Sequence, residues 1–445
     1  MKLIYNVKDK PKFGQLIVFA FQQLLAILAA TIVVPVIVGN GMTQSAALFG
    51  AGIGTIVYQL FTKFRSPVFL GSSFAFLGSM AAAFAGGVSM QKGFFGLILG
   101  AIFAGLVYVV IALIVKISGV EWINKLMPKQ VIGPTVALIG LSLAGSAISD
   151  LQTGKFMVDG AATVNPLIAI LIGLISFLTI TICSVYGKKS AKLFPFIIGI
   201  AVGYAVAAIF TVIGTKTGND ALKVIDFSVF SGMTFFSVPE FTFINGIKGL
   251  KEADGSYIAS IALAYVPVAF VVFAEHIADH KNLSSIIEKD LLEDPGLHRT
   301  LLGDGIGSIV GAVFGGCPNT TYGESIGCVA ITGNASVLTI SCTAVLCILF
   351  SFLNPFVVFL GSIPNCVMGG VCMALYGFIA VSGLKMVQKV DLEDNKNLFV
   401  VSAILISGIG GLALTFGKVT ITTIATALIL GIITNIILSK KKQDA

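Results

Sequence analysis

The sequence predicts an all-α polytopic membrane protein: fourteen transmembrane spans forming two inverted seven-span repeats, with short extended segments in spans 3 and 10. Three observations predict it. Hydrophobic residues make up 56% of the 445 and charged residues only 11%, against roughly 45–50% and about 25% in soluble domains. Mean hydropathy is +0.99, so most of the chain must face something other than water. Apolar runs of the ~20 residues that cross a bilayer core recur along the whole length, and two Gly-broken segments, one in each half, resemble each other.

The amino terminus, MKLIYNVKDKPKFGQ, is basic, and the apolar run behind it covers 14–38. That run exceeds a signal-peptide core of roughly 7–15 residues and lacks a cleavage pattern, so it is read as a retained first span. Further clear runs lie near 43–62, 94–115, 131–149, 165–186, 193–214, 257–279, 336–360, 367–383, 397–416 and 419–438, and weaker ones near 66–85, 301–316 and 318–333. An even number of spans puts both basic ends on one side. With that side cytoplasmic, only Lys92, Lys155, Lys216, Lys223, Lys248, Lys251 and Lys418 fall outside, leaving 21 of the 28 Lys and Arg inside, as the positive-inside rule requires. Lys189 and Lys396 are thereby placed inside, and Lys155 and Lys251 outside.

The composition also excludes functions. The net charge of +7 is spread over loops and ends, with no basic stripe to follow a nucleic acid backbone. The seven cysteines include no CxxC pair, so neither a disulfide framework nor a zinc site is indicated.

The two similar segments are Ser66-Pro67-Val68-Phe69-Leu70-Gly71-Ser72-Ser73-Phe74 and Cys317-Pro318-Asn319-Thr320-Thr321-Tyr322-Gly323-Glu324-Ser325. Each has a proline, which disfavours helix before it, then a short extended stretch, then glycine, which lets backbone approach a ligand. Interrupted spans at matching places in two halves are the sequence mark of a transporter binding site. The plainer alternative is two short helices that happen to contain proline.

Four carboxylates cannot be placed in loops: Glu275, Asp279, Asp304 and Glu324. A charged side chain at mid-membrane costs on the order of 2.5–3.5 kcal/mol on insertion scales, so it needs a partner or a function. Glu324 opens the tenth half-helix, where the helix dipole and free N–H groups favour an anion; otherwise it is a helix-start charge in a wet loop. Asp304, between Gly303 and Gly305, is expected to cap a helix start. On span 8, Glu275 and Asp279 lie about 40° apart and one turn apart, His276 about 100° round and His280 about 140° round, toward the basic cytoplasmic edge. Two stacked carboxylates resist simultaneous ionisation, which suits one of them to carrying a proton. The bland reading gives His276 and Asp279 hydrogen bonds to neighbouring helices. His276 and His280 have the i, i+4 spacing of a metal pair, but HExxH and a third ligand are missing, so no metal or cofactor is expected.

The motifs LGSSFAF (Leu70–Phe76), AEH (Ala274–His276), KDLLEDPGLHR (Lys289–Arg299) and PNTTYGESIG (Pro318–Gly327) together make the chain resemble the nucleobase–cation symporter 2 (nucleobase/ascorbate transporter) family over nearly its whole length. The family signature appears as Glu324-Ser325-Ile326-Gly327, four residues, then Thr332-Gly333, with Ser325 in place of the usual Asn. Glu at its first position is similar to the uracil branch. The resemblance implies a core of spans 1–4 (1–120) and 8–11 (251–362) and a gate of spans 5–7 (121–250) and 12–14 (363–445). It implies a nucleobase held by Glu275 and Glu324 and by backbone at Phe74 and Gly323, with Tyr322 and Ala30 nearby. Gln23 stands where relatives often have His. Asp279 stands where uracil-type relatives have His, so proton coupling falls to Asp279, with His276 and His280 as the other candidates.

The function so implied is proton-coupled uptake of uracil by alternating access, in the cell membrane, with both termini cytoplasmic; the chain would be no enzyme. Its partners would be uracil and the lipid bilayer, with a homodimer left open and no nucleic acid. Uracil offers two N–H donors and two carbonyl acceptors in one plane, which carboxylates and half-helix N–H groups complement. A proton moving down 100 mV supplies roughly 2.3 kcal/mol, about 50-fold accumulation. The competing readings are a carrier of the same architecture for xanthine, urate or a small anion, and a membrane enzyme using the Glu275–His280 cluster. The anion carrier lacks a basic residue at 71–76 or 322–327, and the enzyme lacks a nucleophile or metal triad.

Overall fold

The computed structural model describes residues 3–119, 127–158, 161–188, 191–192, 194–416 and 419–440. Lys2, Lys125, Lys189, Lys418, Lys441 and Lys442, which enter the charge count above, lie outside the described residues.

Helix α1 (Phe13–Val38) ends at Gly39, whose φ of 65° and N–H bond to the Pro35 carbonyl at 3.0 Å stop it. The Thr43 hydroxyl caps α2 (Gln44–Phe61). After Pro67 the chain extends as β1 (Leu70–Ser72) before the short α3 (Leu77–Ala83). Ser89 caps α4 (Met90–Ser118). Then come α5 (Lys129–Ser142), α6 (Ala144–Asp150), a hairpin of β2 (Met157–Val158) and β3 (Ala161–Ala162), α7 (Pro166–Tyr186) and α8 (Pro195–Thr217). Proline opens the last two, where its missing N–H costs nothing.

The second half follows with α9 (Thr242–Gly249), α10 (Gly255–Ile287), α11 (Leu297–Gly315), β4 (Asn319–Thr321) and α12 (Gly323–Thr332). Last are α13 (Val337–Ser351), α14 (Asn354–Ser362), α15 (Asn365–Val387), α16 (Asn395–Ile409), the hairpin β5 (Leu414–Phe416) and β6 (Val419–Ile421), and α17 (Thr423–Lys440). Among the described residues, seven helical stretches are long and apolar enough to cross a membrane by length and composition.

Four expectations change. The run at 257–279 is part of a 33-residue helix that continues to Ile287, about 50 Å at 1.5 Å per residue. The weak run at 301–316 is a full helix from Leu297. The run at 336–360 is two helices, α13 and α14, broken at 352–353. Extended pairing is not confined to the two interrupted spans, since β2–β3 and β5–β6 also form hairpins.

Packing falls into two groups. In the first, α2 lies against α11, α4 against α11, α13 against α2, α10 against α4 and α1 against α13. In the second, α5 lies against α15, α15 against α7, α16 against α5, α8 against α7 and α17 against α16. The groups touch through α1 with α8 and α10 with α17. Between α2 and α11 the backbones come so close that a Cβ on Gly50 or Gly54 would overlap the carbonyl of Gly311 or Gly307, and one on Gly311 would overlap the Asn319 amide. A strap, Ile4–Val7, runs alongside 333–337, with bonds Ile4 N–H to Gly333 O at 2.7 Å, Ala335 N–H to Tyr5 O at 2.9 Å and Val337 N–H to Val7 O at 3.0 Å.

Candidate functional site

The two proline-marked segments meet. β1 and β4 pair antiparallel, with Leu70 opposite Thr321, Gly71 opposite Thr320 and Ser72 opposite Asn319. The pairing extends symmetrically at each end: Ser73 N–H donates to Pro318 O at 2.9 Å, and Tyr322 N–H to Phe69 O at 3.2 Å. Extended backbone inside an apolar protein must find partners for its N–H and C=O groups, and here each strand supplies the other's. The Thr55 hydroxyl lies 3.0 Å from Leu70 O and 2.9 Å from Leu70 N. Asn319 Nδ2 donates to Gly50 O at 2.9 Å, its amide filling the space that Gly54 and Gly311 leave. The Tyr322 hydroxyl donates to Ser72 O at 2.8 Å, tying the strands a second time.

The crossing brings the starts of α3 and α12 to one cavity of about 450 Å³. Its polar wall is Ser73 with the backbone of Phe74 and Ala75, Glu275 and Asp279 from α10, and Thr320 to Glu324. Its apolar wall comes from the other packing group, including Ile132 and Ile139 of α5, Phe196 of α8 and Phe378 of α15. No Lys, Arg or His is among the lining residues. Glu275, Asp279 and Glu324 are each partly exposed there. Asp279 Oδ2 accepts from the Thr321 hydroxyl at 2.7 Å, linking α10 to β4. Glu324 stands in the first turn of α12, where helix N–H groups favour an anion.

Of the residues singled out in the sequence, Glu275, Glu324, Phe74, Gly323, Tyr322 and Asp279 line this cavity. Ala30 does not: it is buried within α1, 1% exposed. His276 and His280 also stand outside it, one layer behind. His280, read from the sequence as turned toward the basic cytoplasmic edge, is instead enclosed, because α10 runs on past it and Tyr58 of α2 covers it. His280 is fully buried, with Nε2 2.7 Å from the Tyr58 hydroxyl and Nδ1 2.8 Å from His276 O. Asp304 is no cap either. It lies inside α11, fully buried, with Oδ2 2.6 Å from His276 Nδ1. His276 Nε2 is 2.9 Å from the Thr300 hydroxyl. Thr300 and Thr321 carry no role that can be read from the sequence, because their roles depend on which helices become neighbours. One further contact joins two of the residues in which the chain departs from the family pattern: Gln23 Nε2 donates to Ser325 Oγ, and to Ser325 O at 3.2 Å.

Residues 14–417 match the Permease family. The uracil permease of Bacillus caldolyticus is 37% identical over 448 residues, covering 100% of this chain and 96% of that protein. The uracil permease of Bacillus subtilis (strain 168) is 36% identical over 447 residues, covering 100% and 97%. Among solved structures, the transmembrane domain of the cyanobacterium bicarbonate transporter BicA superposes with a TM-score of 0.60 at 15% identity, covering 96% of this chain and 99% of that one. At that identity the likeness is one of fold.

Proposed function

The chain belongs to the permease family, and on that premise we propose that it carries uracil into the cell by proton-coupled alternating access. It is a multi-pass membrane permease and not an enzyme. The observation that carries the substrate reading is the polar wall: two carboxylates, Glu275 and Glu324, and two half-helix starts converge on one cavity with no cationic side chain among its lining residues. A neutral planar ring with N–H donors and carbonyl acceptors complements that set. Glu275 and Glu324 accept from the ring N–H groups, and backbone at Phe74 and Gly323 meets its carbonyls, with Tyr322 closing one side. Asp279 carries the coupled proton.

The chain crosses the cell membrane fourteen times as two inverted seven-span repeats, core and gate, with both termini cytoplasmic. Support comes from the matched packing. Several contacts recur when each span is exchanged for the one seven places away: α4 with α11 and α13 with α2, α10 with α4 and α1 with α13, α15 with α7 and α5 with α16, α8 with α7 and α17 with α16. Because the cavity lies between the two packing groups, rocking one against the other would alternate its access.

The test is uptake of radiolabelled uracil into proteoliposomes with and without an imposed pH gradient. Accumulation above equilibrium only with the gradient supports the reading. Gradient-independent equilibration removes the coupling, and absence of uracil binding removes the substrate.

A further inference from the structure

Behind the cavity lies a group of polar side chains that substrate binding does not use. His276 and Asp304 are 0% exposed, as is Thr300. His276 Nδ1 is 2.6 Å from Asp304 Oδ2, and Nε2 is 2.9 Å from Thr300 Oγ1. Thr300 Oγ1 is also 3.0 Å from Leu297 O. Asp304 Oδ1 is buried with no partner.

Counting hydrogens gives this group two states. A threonine hydroxyl has one proton to donate. If it donates to His276 Nε2, the imidazole is neutral, its Nδ1–H bonds the Asp304 carboxylate, and the group carries one negative charge. Adding a proton leaves the group neutral, either as imidazolium with carboxylate or as imidazole with carboxylic acid. In both arrangements an N–H stands at Nε2 and donates to Thr300 Oγ1, and the threonine proton turns to Leu297 O. A proton can therefore enter with no heavy atom moving, by rotation of one hydroxyl.

The surroundings favour filling it. The groups that face it are Tyr108 of α4, its ring 6.4 Å from that of His276, and His280, stacked at 4.0 Å. On α10 itself are Glu275 and Asp279; Tyr58 of α2 reaches it through His280 and Glu324 of α12 through Asp279. His298 and Arg299 precede Thr300 at the partly exposed start of α11. Lys289, Asp294 and Arg65, beyond the end of α10, pair with one another. Four carboxyl groups, Glu275, Asp279, Glu324 and Asp304, thus share a region whose buried members include no lysine or arginine among the described residues. Buried anions without a counter-ion are costly, and protons are the available counter-ions.

We infer that His276, Asp304 and Thr300 form a proton-holding site of their own, whose filling is linked to uracil binding through Glu275. The inference rests on the proposed substrate. Glu275 adjoins His276 on α10 and is ionised when it accepts from the ring N–H; uracil displaces the water that screens it from the group behind, so the two negative charges repel more strongly once uracil is bound. Binding of uracil then draws a proton into the site from the surrounding water, and release of uracil returns it. Asp279 and this site hold separate protons.

Calorimetry of uracil binding to the purified full chain, in buffers of different ionisation enthalpy, counts protons taken up per uracil. Asp304→Asn should take up one fewer than the native chain, and its affinity should fall less steeply with rising pH, the slope lessened by up to tenfold per pH unit for the one linked proton lost. Thr300→Val should lose the same proton and Thr300→Ser should keep it. That pair gives the answer even if Asp304→Asn does not fold. An unchanged proton count in Thr300→Val overturns the inference. Were the native chain to bind no uracil, the substrate reading would fall. The site would then be judged alone, by NMR titration of labelled histidine: a His276 Nε2 signal that responds to pH in the native chain and not in Thr300→Val upholds it, and an unresponsive one overturns it.

Discussion

Gln23 and Ser325 each depart from the pattern of the family, and they bond to each other across 302 residues. The residues themselves could be seen in the sequence; their meeting could not, because it depends on α1 lying beside α12. Glu275, Asp279 and Glu324 were legible for a simpler reason: a carboxylate in an apolar run has few ways to be satisfied. His280 was misread because helical angle says where a side chain points and not what stands there. The Tyr58 hydroxyl is bonded both to the His280 ring and to Ser66 Oγ, at 2.7 and 2.8 Å, so His280→Ala should remove one of its two partners and cost about 0.5–1.5 kcal/mol of stability, seen as a lower melting temperature in detergent with the pH-driven accumulation of uracil retained. Asp279→Asn should do the opposite, sparing counterflow exchange and abolishing accumulation; normal accumulation would remove Asp279 from the coupling role. Glu275→Gln and Glu324→Gln each put a donor where an acceptor is needed. Each should weaken uracil binding by about 1.5–3 kcal/mol, roughly 10- to 150-fold, and unaltered binding in either folded variant would sink the assignment.

At the scale of elements, Pro67 and Pro318 marked the interrupted spans, since proline acts through its own ring and needs no neighbour. Helix ends without such a marker were harder. Asp304 passed for a cap because α11 was expected to begin near 301, and it begins at Leu297. The break between α13 and α14 is accompanied by Asn354 N–H bonding Phe235 O at 3.0 Å, a contact with a distant loop that no local pattern announces. Asn319 locks β4 to α2 and α11 only because Gly54 and Gly311 leave room for it. Gly311→Leu should therefore displace the strand, costing about 1–3 kcal/mol by overpacking and abolishing uracil binding, whereas Gly145→Ala, within α6 with open space around it, should still bind. Binding retained in Gly311→Leu would show that the strand is held by other means. The loop after α10 is tied by Asp294 to Lys289 at 2.7 Å and Arg65 at 3.0 Å. Those hydrogen bonds hold the Asp294 carboxyl below the usual carboxylate range. A lowered value means the tie is present above the ordinary range of about 4 and is lost as pH falls through the folded value. Hydrogen exchange in this loop should accelerate on such acidification and not between neutral and mildly acidic pH.

For the whole molecule, composition gave the membrane and charge gave an orientation, both sums over many residues that survive errors at any one. The division into two packing groups is different: it is a matter of which apolar faces meet, and in helices apolar nearly all round no stripe reveals it. The orientation has a direct check. Single cysteines near Lys396 should label from the cytoplasm only, and those near Lys155 and Lys251 from outside only; finding Lys155 and Lys396 on one side would overturn the arrangement. The crossing of β1 with β4 has a consequence in time. Leu70–Ser72 leaves the ribosome about 250 residues before Asn319–Thr321, which at about 5–20 residues per second is an interval of roughly 12–50 s. Throughout it the first strand lacks its partner strand, with only Leu70 matched, by the Thr55 hydroxyl, in a setting that tolerates no amide unpaired. Nascent chains halted after α4 should thus hold this segment open to water, to the insertion machinery or to its own side chains, and shield it only once β4 has emerged.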